Sequence, residues 1–285
     1  MSTMISFKDN ELATSFLTTA DIERICPMAF KSEPTNPNVS DKYIQATTYD
    51  VVQDLEKLGW LPVDAKQCRN KKGTSGIRSF HMIAFQNPNV KITKTLDNGS
   101  EIVDTYPRII LTNSHDGFNS FKFMVGLFRL VCSNGLVLCD SQMVNMSIRH
   151  INYDFEELRK IVTTSIEQIP HIVCTMNKMQ TIIPTEEQKI DLALEVLRIR
   201  KGLELNNPLE VPQYVIQDIL TPVRNEDKKN DLWTIFNICQ EKMIKGGFKA
   251  ENNKQKLRKQ KGITSIKKDL DFNQRLWQKA FTMCT

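Results

Sequence analysis

The spacing of hydrophobic positions changes twice along the chain, and the changes divide it. Up to the stretch KSEPTNPNVSDKY the apolar residues follow no sustained period, and helix- and strand-breaking residues crowd together, which predicts an irregular arm over residues 1–42. After Thr48, the positions Val51, Val52, Leu55 and Leu58 recur at helical spacing, with Gly59 placed as a stop. The period then falls to two. In IRSFHMIAFQNP both alternating sets are largely apolar, as in a strand buried on both faces. Asn98-Gly99 suits a tight hairpin turn, and Pro107 requires its strand to lie at an edge or carry a bulge. Ser114 to Gly117 makes the next turn. The segment FNSFKFMVGLFRLVCSNGLVL sets Phe121, Phe123, Val125 and Leu127 toward a core and Lys122, Gly126 and Phe128 on the opposite face, with Arg129 on the core side by alternation. Ser133-Asn134-Gly135 closes a further hairpin. An antiparallel meander of about five strands is expected here.

Helical spacing then returns. Phe155, Leu158, Val162, Ile166 and Ile169 form one stripe, and Thr185 with Gln188 forms a capping box before KIDLALEVLRIRKG. Shorter helices are predicted at PQYVIQDIL and at DLWTIFNICQEKMIK, the second ended by Gly246-Gly247, and a last one from about Ser265 to Met283. The fold class is α+β: a meander flanked by helices, followed by a C-terminal helical region. The expected organisation is an arm over 1–42, an α+β core over 43–183, and a helical region with a basic C-terminal segment over 184–285.

Composition adds three constraints. Hydrophobic residues at 40% and charged residues at 25% belong to an ordinary globular protein. No run approaches the roughly 18 to 20 apolar residues that cross a bilayer, and the first residues lack a signal-peptide pattern, so a cytoplasmic, membrane-free protein is expected. Seven scattered cysteines suit reduced core thiols better than disulfides or zinc. Charge is uneven. From Lys242 to Lys279 twelve Lys or Arg face three acids, a local balance of +9 that leaves −4 for the rest of a chain whose net charge is +5. Such a segment suits contact with phosphates, or serves as a solvated surface.

Catalytic signatures are missing from the sequence. There is no Walker loop, no G-x-G-x-x-G, no H-E-x-x-H and no nucleophile elbow. His115-Asp116-Gly117 reads first as a turn, and His150 as a structural or phosphate-contacting residue. A non-enzymatic protein without cofactor or metal is expected. Cations interleaved with aromatics offer a nucleic-acid reading: Lys71, Lys72, Arg78, Arg108, Lys122, Arg129 and Arg149 with Phe128 nearby, and Lys254, Lys256, Arg258, Lys259 and Lys261 as an auxiliary arm. Aromatics in a meander also serve as core, and strand arginines often pair with carboxylates.

The stretches YDVVQDLEKLGW, YPRIILTNSHDGFNSFKFMVGLFRLVCSNGLVL with SIRHI after it, LWTIFNICQEKMIKGG and ITSIKKDLDFNQRLWQKAF resemble a phage- and plasmid-borne protein family, the domain of unknown function 932. That resemblance implies no activity. The order of elements, a short helix ending in Gly, a strand meander and a long helix, is similar to phage single-strand annealing proteins of the Erf and RecT type. It implies binding of single-stranded DNA along a basic groove and assembly into a homo-oligomer. The leading expectation is a mobile-element DNA-binding protein of recombination or replication, single-stranded DNA favoured. Alternatives are a structural or host-takeover interaction protein and a cryptic metal-dependent nuclease built near His115 and Asp116.

Overall fold

The structure is a computed structural model, and it describes residues 3–6, 15–32, 47–68, 80–95, 100–114, 120–129, 135–138, 147–148, 154–201, 211–224, 227–251 and 257–284. By contacts the chain divides into two units, residues 1–130 with 135–170, and residues 131–134 with 171–285.

The first unit opens with strand β1 (Thr3–Ser6) and helix α1 (Thr19–Ile25), followed by a 3-10 turn at Pro27–Phe30. These correct the expected irregular arm. The start of α1 is written locally: Thr18 and Asp21 form a reciprocal capping box, each side chain bonding the other's backbone N–H. What holds the segment is nonlocal, because Ile22, Cys26 and Ala29 enter the same core as Val51, Val52 and Leu55 of helix α2 (Thr48–Lys57). The cap of α2 is Thr47, again in a box with Asp50, and Gly59 follows its end at φ +81°.

Strands β2 (Leu61–Gln67), β3 (His81–Gln86), β4 (Lys91–Thr95), β5 (Glu101–Asn113), β6 (Phe121–Arg129), β7 (Gly135–Leu138) and β8 (Ser147–Ile148) complete an antiparallel sheet. It is α+β and antiparallel as expected, and its connectivity has a feature beyond a plain meander. β3 and β4 lie end to end along one side of β5, with Gln86 opposite Arg108 and Ile92 opposite Thr105, while β6 covers the other side. Between those pairs β5 advances three residues and its neighbour six, so Asn87 to Val90 loop out of what is otherwise one long strand. Pro107 falls at this interruption and pairs with Leu127 of β6. The irregularity a strand proline requires is thus supplied by the neighbouring strand, and β5 is interior rather than an edge. The Asn98-Gly99, Ser114-to-Gly117 and Ser133-to-Gly135 turns lie wholly or partly outside the described residues.

Alternation in β6 runs as expected. Phe121, Phe123, Val125 and Leu127 are buried, and Phe121 and Phe123 share a core with Ile109 and Leu111 of β5, Ile83 and Phe85 of β3, the two N-terminal helices and Leu158, Ile161 and Val162. Each fully buried Phe of this kind stabilises the fold by about 1.5–3 kcal/mol. At the end of this core face three polar side chains are fully buried. Thr48 Oγ1 lies 2.8 Å from His81 Nε2 and accepts from Asn113 Nδ2 at 2.9 Å, so the cross-strand pair of His81 and Asn113 is tied to the first turn of α2.

Helix α3 (Phe155–Thr181) begins with the expected stripe and runs on through Pro170. In the second unit, α4 (Glu186–Lys201) starts at the predicted capping box, Thr185 N–H donating to Gln188 Oε1 at 2.9 Å and Gln188 N–H to Thr185 Oγ1 at 3.2 Å. Helices α5 (Gln213–Leu220) and α6 (Leu232–Lys245) follow, then strands β9 (Gly246–Glu251) and β10 (Leu257–Lys261) and helix α7 (Ile266–Thr282). α6 is buried nearly all round, its Leu232, Phe236, Cys239 and Met243 fully so. The ring of Phe236 meets Trp277 of α7 edge-on at 6.0 Å, and Gln240 donates to Asn273 at 2.7 Å.

Candidate nucleic-acid interface

The segment after α6 was expected to be a basic arm, and its described part is a two-stranded antiparallel ribbon, β9 with β10. Gly246 and Gly247 have φ of +75° and +95°, values that cost glycine little and end the helix. Gly246 also permits a close approach. A Cβ there would lie 2.5 Å from the Gln260 carbonyl, and one on Gly262 would lie 2.6 Å from the Ile244 carbonyl, so the base of the ribbon runs directly against the end of α6. The otherwise orphaned carbonyls of that helix end are used: Ile263 N–H donates to Ile244 O at 2.9 Å, and the Arg200 guanidinium donates to the carbonyls of Met243 and Lys261. Phe248 is buried, with the Arg200 guanidinium 5.4 Å from its ring centre, and Lys249 N–H donates to Asp218 Oδ2 at 2.6 Å.

This anchoring decides which way the cations point. Successive strand residues alternate faces, so buried Phe248 sends Lys249 outward, and Lys259, directly opposite Lys249, shares that outward face. Arg258 stands opposite Ala250. A register shift between Lys259 and Lys261 re-aims the strand end, and Lys261 is exposed as well. Over residues 246–261 the sequence carries six cations and one acid, Glu251. Among the described residues, none of Lys249, Arg258, Lys259 and Lys261 forms an ion pair. Several other cations of this unit are engaged, Arg224 and Lys245 with Glu241, Lys242 with Asp218, and Lys279 with Asp191. Like charges placed directly across a ladder destabilise it by roughly 0.2–1 kcal/mol, so Lys249 and Lys259 are not there for the ribbon's own stability.

The remaining expected residues are distributed otherwise. Lys254 and Lys256, between the two strands, lie outside the described residues, as do Lys71, Lys72, Arg78, Arg149, His115, Asp116 and His150. Arg129 closes β6 opposite Thr105, and its side chain is also outside the description. Lys122 is exposed on the sheet face away from the core. Around it on that face Met82, Ala84, Ile110, Thr112 and Met124 are all buried. Arg108 is buried too, its guanidinium 3.6 Å from the ring centre of Phe128. Burial pushes its pKa down to about 10, with the nearby Asp64 carboxylate acting against the shift.

Lys249 is the ribbon cation that sequence reading missed. It follows two helix-ending glycines, where a loop is the simplest expectation. The available signal was strand-like FKAE and LRKQK flanking Asn252-Asn253, two residues favoured in turns. No group of three His, Cys, Asp or Glu that would hold a metal occurs among the described residues. Cys26, Cys239 and Cys284 are buried, and burial pushes the Cys26 and Cys239 thiols up to about 12, so they are unreactive core thiols; Cys174 is exposed. No helix among the described residues is long and apolar enough to cross a membrane.

Comparison with known proteins gives a family. Two proteins of Escherichia coli (strain K12), UPF0380 protein YfjQ and UPF0380 protein YafZ, are each 29% identical to this chain over 269 residues, covering 94% of this chain and 92% of each relative. No solved structure matches it. The family model described as "Domain of unknown function (DUF932)" matches residues 38–277, which include both strands of the ribbon and nearly all of the sheet, and the chain belongs to that family.

Proposed function

We propose that this protein binds DNA, and that the β9–β10 ribbon is the element that meets its phosphates. The observation that carries the reading is the set of four exposed cations without an ionic partner among the described residues, two of them opposed across the ladder on the face away from Phe248. A cation pair that costs the free protein stability is compensated when phosphates sit between the charges. A two-stranded ribbon is also of a size that the major groove, about 12 Å wide, admits.

The ribbon favours duplex over single-stranded DNA. Single-strand sites need flat rings for bases to stack on, and the aromatic residue of the ribbon, Phe248, is buried. A role in recombination or replication of a mobile element remains the context suggested by the sequence resemblance, with annealing of single strands as its alternative form.

The test is fluorescence anisotropy of labelled duplex and single-stranded oligonucleotides titrated with the protein between 50 and 200 mM salt. Four phosphate contacts give a slope of log K against log salt of about −3.6 on duplex, a loss of about 10²-fold in affinity over that range. Absent or salt-insensitive binding overturns the proposal. Tighter binding of single strands at matched salt transfers it to the annealing form.

A further inference from the structure

Arg108 brings a positive charge into the sheet and forms no ion pair there among the described residues. Its residue is 7% exposed, and among the described residues its one hydrogen bond runs from Nε to Gln86 Oε1 at a long 3.3 Å. Phe128 covers one side of the guanidinium plane, 3.6 Å away, and attracts the cation without accepting its N–H groups. Asp64, the carboxylate whose charge reaches Arg108, is paired at 3.7 Å with Lys66 instead. Gln86, directly across the ladder, is fully buried, and among the described residues its Nε2 has no hydrogen-bond partner. On the other side of Arg108 the cross-strand neighbour is Gly126, which places no side chain against it. A guanidinium fork, bonded among the described residues only through Nε, and a buried amide N–H without an acceptor therefore stand side by side, and leaving that amide unsatisfied is costly.

We propose that Arg108 and Gln86 form a receptor for the carboxylate group of a small-molecule ligand. The two oxygens of a carboxylate match the parallel N–H groups of a guanidinium, and one of them has a lone pair left for Gln86 Nε2. The charge count selects the ligand class. One buried cation neutralises a monoanion, whereas a phosphate dianion would bring excess negative charge into a site already facing Asp64. A phosphodiester brings a sugar on each side, which a residue buried to this degree does not admit. The site belongs to the first unit and is independent of the ribbon reading.

The probe is acetate, added to the full chain labelled with 15N-arginine, with the Nε–H signal of Arg108 followed by NMR at constant ionic strength. The signal is identified by its loss in Arg108→Lys, or in Arg108→Met should the lysine variant not fold. The expected result is a saturable shift of the Arg108 signal with acetate and none with chloride, with apparent affinity about tenfold weaker in Gln86→Leu, which removes one hydrogen bond to a charged group. No shift, a shift shared with chloride, or an affinity untouched by Gln86→Leu overturns the proposal. An equal response to inorganic phosphate overturns the carboxylate assignment.

Discussion

Replacing Lys249 and Lys259 together by threonine separates function from stability at the ribbon, because the two respond in opposite directions. Each lysine is exposed and unpaired among the described residues, so on the proposed reading each removed cation deletes one phosphate contact and no structural bond. At about −0.9 per contact, the salt slope on duplex becomes shallower by about 1.8, and at 0.15 M salt affinity falls about 30-fold, or ~2 kcal/mol. Stability moves the other way. The variant removes a like-charge pair and places two β-branched hydroxyl residues opposite each other, a pairing favoured in sheets, so unfolding should cost about 0.2–1 kcal/mol more. Anisotropy titrations at several salt concentrations measure the first quantity, and urea denaturation of the same preparations the second. An unchanged slope in a folded double variant would show that the ribbon does not touch phosphate. A lower affinity accompanied by lost stability would assign the effect to folding instead.

Lys122→Ala, on the far face of the sheet, should leave the salt slope unchanged, and a shift approaching 1 would move the interface to the sheet. Thr48→Val keeps the shape but leaves the Asn113 amide and His81 Nε2 without this buried partner; denaturant titration should show a loss of about 2–4 kcal/mol. Gly246→Ala sets a Cβ against the Gln260 carbonyl and forces φ +75° on an L side chain, so it should cost about 1–3 kcal/mol and weaken DNA binding by displacing the ribbon. Cys26 and Cys239 keep their protons in the native state up to about pH 12 but lose them near pH 9 when unfolded, so their contribution to stability is complete below about 9 and declines as pH rises toward 12. Denaturation at pH 8 and pH 10 reads that decline. A thiol reagent at pH 8 should label Cys174 in the native protein and leave Cys26 and Cys239 until it unfolds.

Elements written by neighbours in sequence were legible. The box of Thr185 with Gln188 marks the start of α4, Gly59 and Gly246 mark helix ends, and two-residue alternation assigns the faces of β6 correctly from Phe121 to Leu127. A signal of the same kind stands at Thr18 and Asp21, ahead of a stretch rich in breakers. Three residues, Ile22, Cys26 and Ala29, are too few to show a period until the sheet that receives them is known. The candidate site was half legible: Arg258, Lys259 and Lys261 stood out by charge, while Lys249 did not, since its importance lies in the partner opposite it.

What the chain specifies by itself is therefore the local conformation, the α+β class and the excess of cations near its C-terminal end, each set by interactions within a few residues. Which strands share a side of β5, why Pro107 can stay in an interior strand, and which faces are covered depend on residues far apart in sequence meeting across a ladder. Arg108 and Lys259 look alike as strand cations, and the fold separates them. One is drawn against Phe128 and Gln86 into the sheet; the other is held outward because Phe248, on the opposite face of the same ribbon, is buried. Sequence supplies a charge, but its surroundings decide whether that charge is a cost to be met inside the protein or a contact offered outside it.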